Sequence, residues 1–200
     1  TTMVNSVSAS MQRTEQNAKE LQALVNLSDA FLSSVDVRLT FESALREGIA
    51  ATHSDTGTGF LMLPNGKEFQ TTAQIGLPEN LLNVVYPLDA HSAPGYAMMQ
   101  RKTIAAADLS KETRFSEPPS ILGLGIVSNL TAPMLIDGRV VGAITLSSFT
   151  PRAYTSSEIG MAQAIANHTA VALERTKLVN DISEMYDRTL SSLVSALDTR

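Results

Sequence analysis

The sequence predicts an α+β domain, and three observations carry that expectation. Apolar residues recur at helical spacing near both ends, and several short runs between them follow a strand-like period. The third is the run IVSNLTAPMLIDGRVVGAITLSSF at 126–149, two stretches rich in β-branched residues joined by Asp137-Gly138. That combination is a strong local signal for a β-hairpin.

Composition narrows the function classes. The chain has 200 residues, 44% of them hydrophobic, and a net charge of -5, enough for a sizeable core in one domain with extensions. The acidic balance argues against a broad surface for nucleic acid, and no apolar run reaches the roughly 20 residues that span a bilayer. A cytoplasmic protein is expected, without a membrane segment in this fragment. Cysteine is absent, which rules out disulfides, a thiolate metal site, a thiol nucleophile and a thioether-linked chromophore. The opening Thr1-Thr2 and the stop at Arg200 in mid-pattern suggest a piece of a longer chain.

Taken in order, Val4, Val7, Met11, Thr14, Ala18, Leu21, Val25, Ser28 and Leu32 fall three and four apart, a heptad seam able to pair with its own copy. Leu24 and Phe31 widen the stripe at 21–32, so that part is also expected to pack on its own domain. Asp36 can cap a second helix over about 37–53, with Phe41, Leu45 and Ile49 on one face. Strands follow at 58–63 and 69–75 around Pro64-Asn65-Gly66, then a helical turn at 79–83 and a strand at 84–88. Ser92 is placed to cap a short helix through Tyr96, Met98 and Met99, whose first-turn amides could receive an anion. A brief strand at 103–107 precedes DLSKETRFSE at 108–117, a polar loop with one aromatic, Phe115, and Pro118-Pro119 opens another short helix. Thr155-Ser156-Ser157-Glu158 is a capping box. With no Gly or Pro from Met161 to Arg200, the helix it starts should run on for roughly 45 residues, a coiled-coil extension.

The hairpin carries polar residues at every second position, Asn129 and Thr131 on one strand, Thr145 and Ser147 on the other. Their faces depend on the turn. A two-residue turn pairs Ile136 with Arg139 and sends the two polar pairs to opposite faces. A three-residue turn with Gly138 as a left-handed bulge pairs Leu135 with Arg139, sets Asn129 opposite Thr145, and gathers all four on one side. The second is preferred, because it leaves Leu130, Ala132, Met134, Ile144 and Leu146 as an apolar face for helices and gives the other face groups suited to a ligand. Asp108, Arg114 and Phe115 are the expected lid, a charged pair and a covering ring; Tyr86 and Tyr96 are candidates for the same cavity. His53, His91 and His168 lack metal-ligand spacing, and His91 alone lies where it could reach a haem, which is not expected.

Several marks then coincide: Gly95 before the short helix, Asp108 with Arg114 and Phe115, Gly125 before a strand carrying Pro133, Asp137-Gly138, Gly142, Phe149-Thr150-Pro151, and Thr155 with Glu158. As an ensemble over about 21–178 they resemble a bacterial GAF domain. The resemblance implies a six-stranded antiparallel sheet, terminal helices on one face, and loops and short helices forming a small-molecule pocket on the other. Phytochrome GAF domains line their bilin pocket at positions matching Asn129, Thr131 and Ser147, but covalent bilin is excluded here by the missing cysteine. Cyclic-nucleotide-binding members carry an Asn-Lys-x-x-x-x-Phe-x-x-x-Asp-Glu motif, of which Lys111, Phe115 and Glu117 are only a partial echo. GAF-fold methionine sulfoxide reductases depend on cysteines that this chain lacks. The tail at 185–200 is similar to the run-in of HD-GYP domains, the cyclic-di-GMP phosphodiesterases, without their metal-binding motifs.

The expected organisation is a signalling helix at 1–20, a GAF domain at 21–178 and a linker helix at 179–200 leading to an output domain. The expected function is a sensory domain, not itself an enzyme, that binds an unknown small molecule through Asn129, Thr131, Thr145, Ser147, Asp108, Arg114, Phe115, Ser92 and Tyr96. It would signal through a homodimer, with no cofactor and no nucleic acid, to an output that could be a cyclic-di-GMP phosphodiesterase. The alternative is a ligand-free dimerisation spacer.

Overall fold

The computed structural model describes residues 37–197, with side chains as far as residue 178. The heptad seam at 4–32, the Asp36 cap and the segment 1–20 lie outside the described residues.

Helix α1 (Val37–Thr52) leads into strands β1 (Thr56–Met62) and β2 (Glu68–Ile75), a 3-10 turn (Glu79–Leu81) and the short strand β3 (Val85–Pro87). Helix α2 (Ala93–Gln100), strand β4 (Ile104–Ala106), a 3-10 turn (Leu109–Lys111) and one turn of helix, α3 (Pro119–Leu122), come next. The hairpin strands β5 (Ser128–Ile136) and β6 (Arg139–Ser148) and helix α4 (Ser156–Leu197, 42 residues) complete the domain. The six strands form one sheet in the order β3-β2-β1-β6-β5-β4, every pair antiparallel. The expected α+β class and six-stranded antiparallel sheet are therefore both present.

Helices α1 and α4 cover one face. The buried residues Thr40, Phe41, Ala44, Leu45, Gly48 and Thr52 recur every three or four along α1, the spacing that gives a helix one core-facing stripe. On α4 the buried Met161, Ala162, Ile165, Ala166, Ala170 and Leu173 join the same core, and its small residues let the two helices approach closely. A Cβ at Gly59 of β1 would run into the Phe41 ring, so the missing side chain is what lets α1 settle on the sheet. The capping box forms as expected: Glu158 N–H donates to Thr155 Oγ1 at 3.2 Å, and Thr155 N–H donates to Glu158 Oε2 at 2.8 Å.

The turn differs from the one preferred on sequence grounds. Ile136 pairs with Arg139, and Asp137 and Gly138 adopt φ of 49° and 76°, so this is the tight two-residue turn whose twist suits the strands. The four polar residues nevertheless share a face, with Asn129 opposite Ser147 and Thr131 opposite Thr145. The register shifts beyond the turn, where Leu135 pairs with Val140 but Met134 with Gly142, leaving Val141 as the extra residue of a bulge. One extra residue exchanges the faces of everything after it. Leu130, Ala132, Met134, Ile144 and Leu146 consequently all lie in the helix-side core. Among the described residues no helix is long and apolar enough to cross a membrane.

Candidate functional site

The face opposite the long helices holds two smaller apolar clusters with a cavity beside them. Phe60, Phe69, Met98 and Ala143 form one cluster, with Phe60 edge-on to Phe69 at 5.5 Å between ring centroids and Phe69 stacked on Tyr86 at 5.6 Å. Ala93, Ala97, Ile104, Ala106 and Phe115 form the other, against the edge strand β4. The cavity has a volume of about 50 Å³. Its floor is the polar strip of the sheet, Thr58 and Thr71 beside Asn129, Thr145 and Ser147. Leu77, Leu81 and Tyr86 make one wall, Ser92 and Pro94 another, and Glu117, Pro118, Ile121 and Ile126 the roof.

Local chemistry fixes the polar end. Ser92 caps α2, its Oγ accepting from Gly95 N–H at 3.2 Å. The N–H of Ala93, at the start of α2, donates to Glu117 Oε1 at 3.2 Å, and Asn129 Nδ2 donates to the same oxygen at 3.1 Å. The helix amide considered for an external anion is thus taken by the protein's own carboxylate. Asn129, 2% exposed, keeps its Oδ1 buried without a partner. Burial pushes the Glu117 carboxyl up to about 7 from its ordinary 4.5, against the lowering effect of its two hydrogen bonds. Tyr86 is raised as well, mainly by burial and in smaller part by the nearby Glu117 charge. Thr131 and Thr145 satisfy one another, their hydroxyls 3.0 Å apart.

Of the nine residues expected at a site, Asn129, Thr145, Ser147 and Ser92 line the cavity, and Thr131 lies fully buried just beneath, bonded to Thr145. The other four are elsewhere. Asp108 caps the 3-10 turn and pairs with Lys111 at 2.9 Å, and Arg114 pairs with Glu112 at 2.6 Å, so the two do not form the charged pair expected of a lid. Those partners hold the carboxyls of Asp108 and Glu112 well below the usual range, both at about 2. Asp108 and Arg114 line an open surface groove with Arg152. Phe115 is 6% exposed and packs on Tyr96 at 5.7 Å between centroids, an anchor of the edge-strand cluster rather than a cover. Tyr86, not Tyr96, reaches the cavity. His91 is exposed and lies 3.3 Å from Ser116 Oγ, away from the lining.

Sequence reasoning left out Glu117, Thr58 and Thr71 as site residues. The two threonines had a signal: Thr56, Thr58 and Phe60 alternate along β1, and Thr58 pairs with Thr145. Glu117 had only its place before Pro118-Pro119 and its part in the incomplete nucleotide motif, since its burial comes from the return of the loop over the sheet.

A six-stranded antiparallel sheet with two long helices on one face is a shared fold, and residues 19–173 match the GAF domain model. The chain belongs to the GAF domain family. GAF domains are regulatory modules of signalling proteins. Comparison with curated proteins finds no match. Similar solved structures include the GAF domain of a phosphoenolpyruvate-protein phosphotransferase from Coxiella burnetii, at 13% identity and a TM-score of 0.73, covering 82% of this chain and 98% of that one. The corresponding Acinetobacter GAF domain gives 15% identity and a TM-score of 0.70, with 81% and 97% covered. The chromophore-binding domain of a bacteriophytochrome from R. palustris gives 15% identity and a TM-score of 0.65, with 84% of this chain and 63% of that one covered. At these identities the likeness speaks for the fold alone.

Proposed function

We propose that this GAF domain is a cytoplasmic sensor that takes a small molecule into the cavity between the polar sheet face and the loops. The observation that carries the reading is the cavity's polar end, where a half-buried carboxyl and an unpartnered buried amide oxygen meet over hydroxyl groups. Uncompensated groups of this kind cost stability, and they persist where something else uses them. Binding would favour one of two arrangements of the roof loops and of α4, and only a difference in affinity between the two can shift them. The helices would act as a homodimer: Val171 and Leu178, both about half exposed and seven residues apart on α4, present an apolar stripe to a second copy. An output domain of the HD-GYP type belongs to the same proposal and rests on the resemblance of the sequence at 185–200 alone.

The test is Asn129→Ala, followed by thermal shift with a panel of nucleotides, amino acids and aromatic metabolites. A ligand at 100 times its Kd adds about 2.7 kcal/mol to the wild type. The variant should fold and lose that gain; retention of it would remove Asn129 from the site.

A ligand-free spacer is the second reading, and the cavity volume favours it. About 50 Å³ holds a few waters, whereas pockets for drug-sized ligands begin near roughly 300 Å³. No shift with any member of the panel supports the spacer.

A further inference from the structure

Resting on the binding-site reading above, we infer that the cavity selects a small cation bearing N–H donors, a primary amine with a short apolar tail.

The argument is a count of donors and acceptors. Both hydrogen bonds to Glu117 land on Oε1, leaving Oε2 without a protein donor among the described residues. Asn129 has spent its amide on Glu117 and holds Oδ1 unpaired at 2% exposure. The cavity lining contains no Lys, Arg or His, so nothing in it offsets the carboxylate. With Glu117 ionised, the polar end is therefore rich in acceptors and short of one positive charge. An ammonium group supplies both, since it carries three donors and no acceptor. Its bond to a carboxylate is charge-assisted, roughly twice as strong as a neutral one. A carboxylate or phosphate ligand would instead meet Glu117 as a like charge, with no Lys, Arg or His in the lining to offset it. The other walls, Leu77, Leu81, Ile121 and Ile126, are apolar and suit a short hydrocarbon tail.

Protonation provides an independent handle. Burial holds the Glu117 carboxyl near 7, so a cation that needs the carboxylate form binds more weakly as pH falls below that value. Tyr86 is the other titratable group facing Glu117, and it is raised from 10 and stays protonated throughout; His91 is turned to Ser116.

The experiment compares n-butylammonium, n-butanol and butyrate, three probes of one shape and different heads, by NMR titration of the wild-type chain on the Asn129 side-chain amide. Butylammonium should bind at least tenfold more tightly than either of the others, and its advantage over butanol should shrink about tenfold between pH 8 and pH 6. In Glu117→Gln the advantage over butanol should vanish. A preference for butyrate, or equal binding of all three, overturns the amine assignment and leaves the binding-site reading standing. Failure of all three to bind, together with no response to the metabolite panel, overturns both. The wild-type comparison stands whether or not the variant folds.

Discussion

The two faces of the β5–β6 hairpin are both buried, yet they are finished to different degrees. On the helix side Leu130, Ala132, Met134, Ile144 and Leu146 meet α1 and α4, and among the described residues of the hairpin on that side the one unpartnered group is the hydroxyl of Ser148, at the far end of β6. On the loop side Thr131 and Thr145 satisfy each other, while Asn129 Oδ1 and one oxygen of Glu117 do not find protein donors. Packing explains the apolar residues of the first face. The second carries polar groups on most of its positions, and that difference is what marks it as the candidate site.

The sharpest way to break the distinction is to exchange the faces. One alanine inserted between Ala143 and Ile144 turns Ile144 and Leu146 toward the loops and brings polar side chains into the helix-side core. Losing two large core residues and burying hydroxyls there should cost more than about 5 kcal/mol, comparable to the stability of a whole domain. Loss of the cooperative urea transition is the expected readout, and a native-like midpoint would contradict the register.

The next effect belongs to the loop side and is a function of pH. The Glu117 carboxyl is raised above its unfolded value, so its neutral form is the one the fold favours. Its contribution is fully present below pH 4.5 and is lost as pH rises through about 7. At about 1.4 kcal/mol per unit, the wild type should lose roughly 3 kcal/mol over that window relative to Glu117→Gln, measured by urea unfolding at several pH values. A parallel pH profile for the two proteins would show that the carboxyl is not buried.

A smaller effect tests whether the threonine pair is structural. Thr145→Val alone strands the Thr131 hydroxyl and should cost about 1–3 kcal/mol, whereas adding Thr131→Val should recover most of it. A double-mutant cycle with no coupling would break the pair.

Much of this was legible in the sequence. The strand periods, the capping box at Thr155 and Glu158 and the apolar side of the hairpin all follow from spacing, which local sequence encodes. The lining of the candidate site was legible where strand alternation points, at Asn129, Thr145 and Ser147, at Ser92, marked by helix capping, and at Tyr86. Asp108 and Arg114 were misjudged because opposite charges in a polar loop say nothing about which partner each will choose; both found closer ones, in Lys111 and Glu112. Phe115 and Glu117 are two residues apart, yet one anchors the edge cluster and the other roofs the cavity, a division made by the loop's path over distant strands. The turn was misread because Asp-Gly serves both turn types, and the deciding feature, the bulge at Val141, was marked only by Gly142 within a strand.

The bulge at Val141 works as a frameshift does in a coding sequence. Upstream of it β6 is read in the frame set by the tight turn, and downstream in the opposite one. Deleting Val141 closes the bulge and leaves Met134 opposite Gly142 and Thr131 opposite Thr145, so it should be the mildest one-residue deletion in β6, costing about 1 kcal/mol by urea unfolding. Deleting Ile144 moves every later side chain of the strand into the wrong frame. The tip of the hairpin can therefore change length by one residue without rewriting either face, a tolerance the rest of β6 lacks.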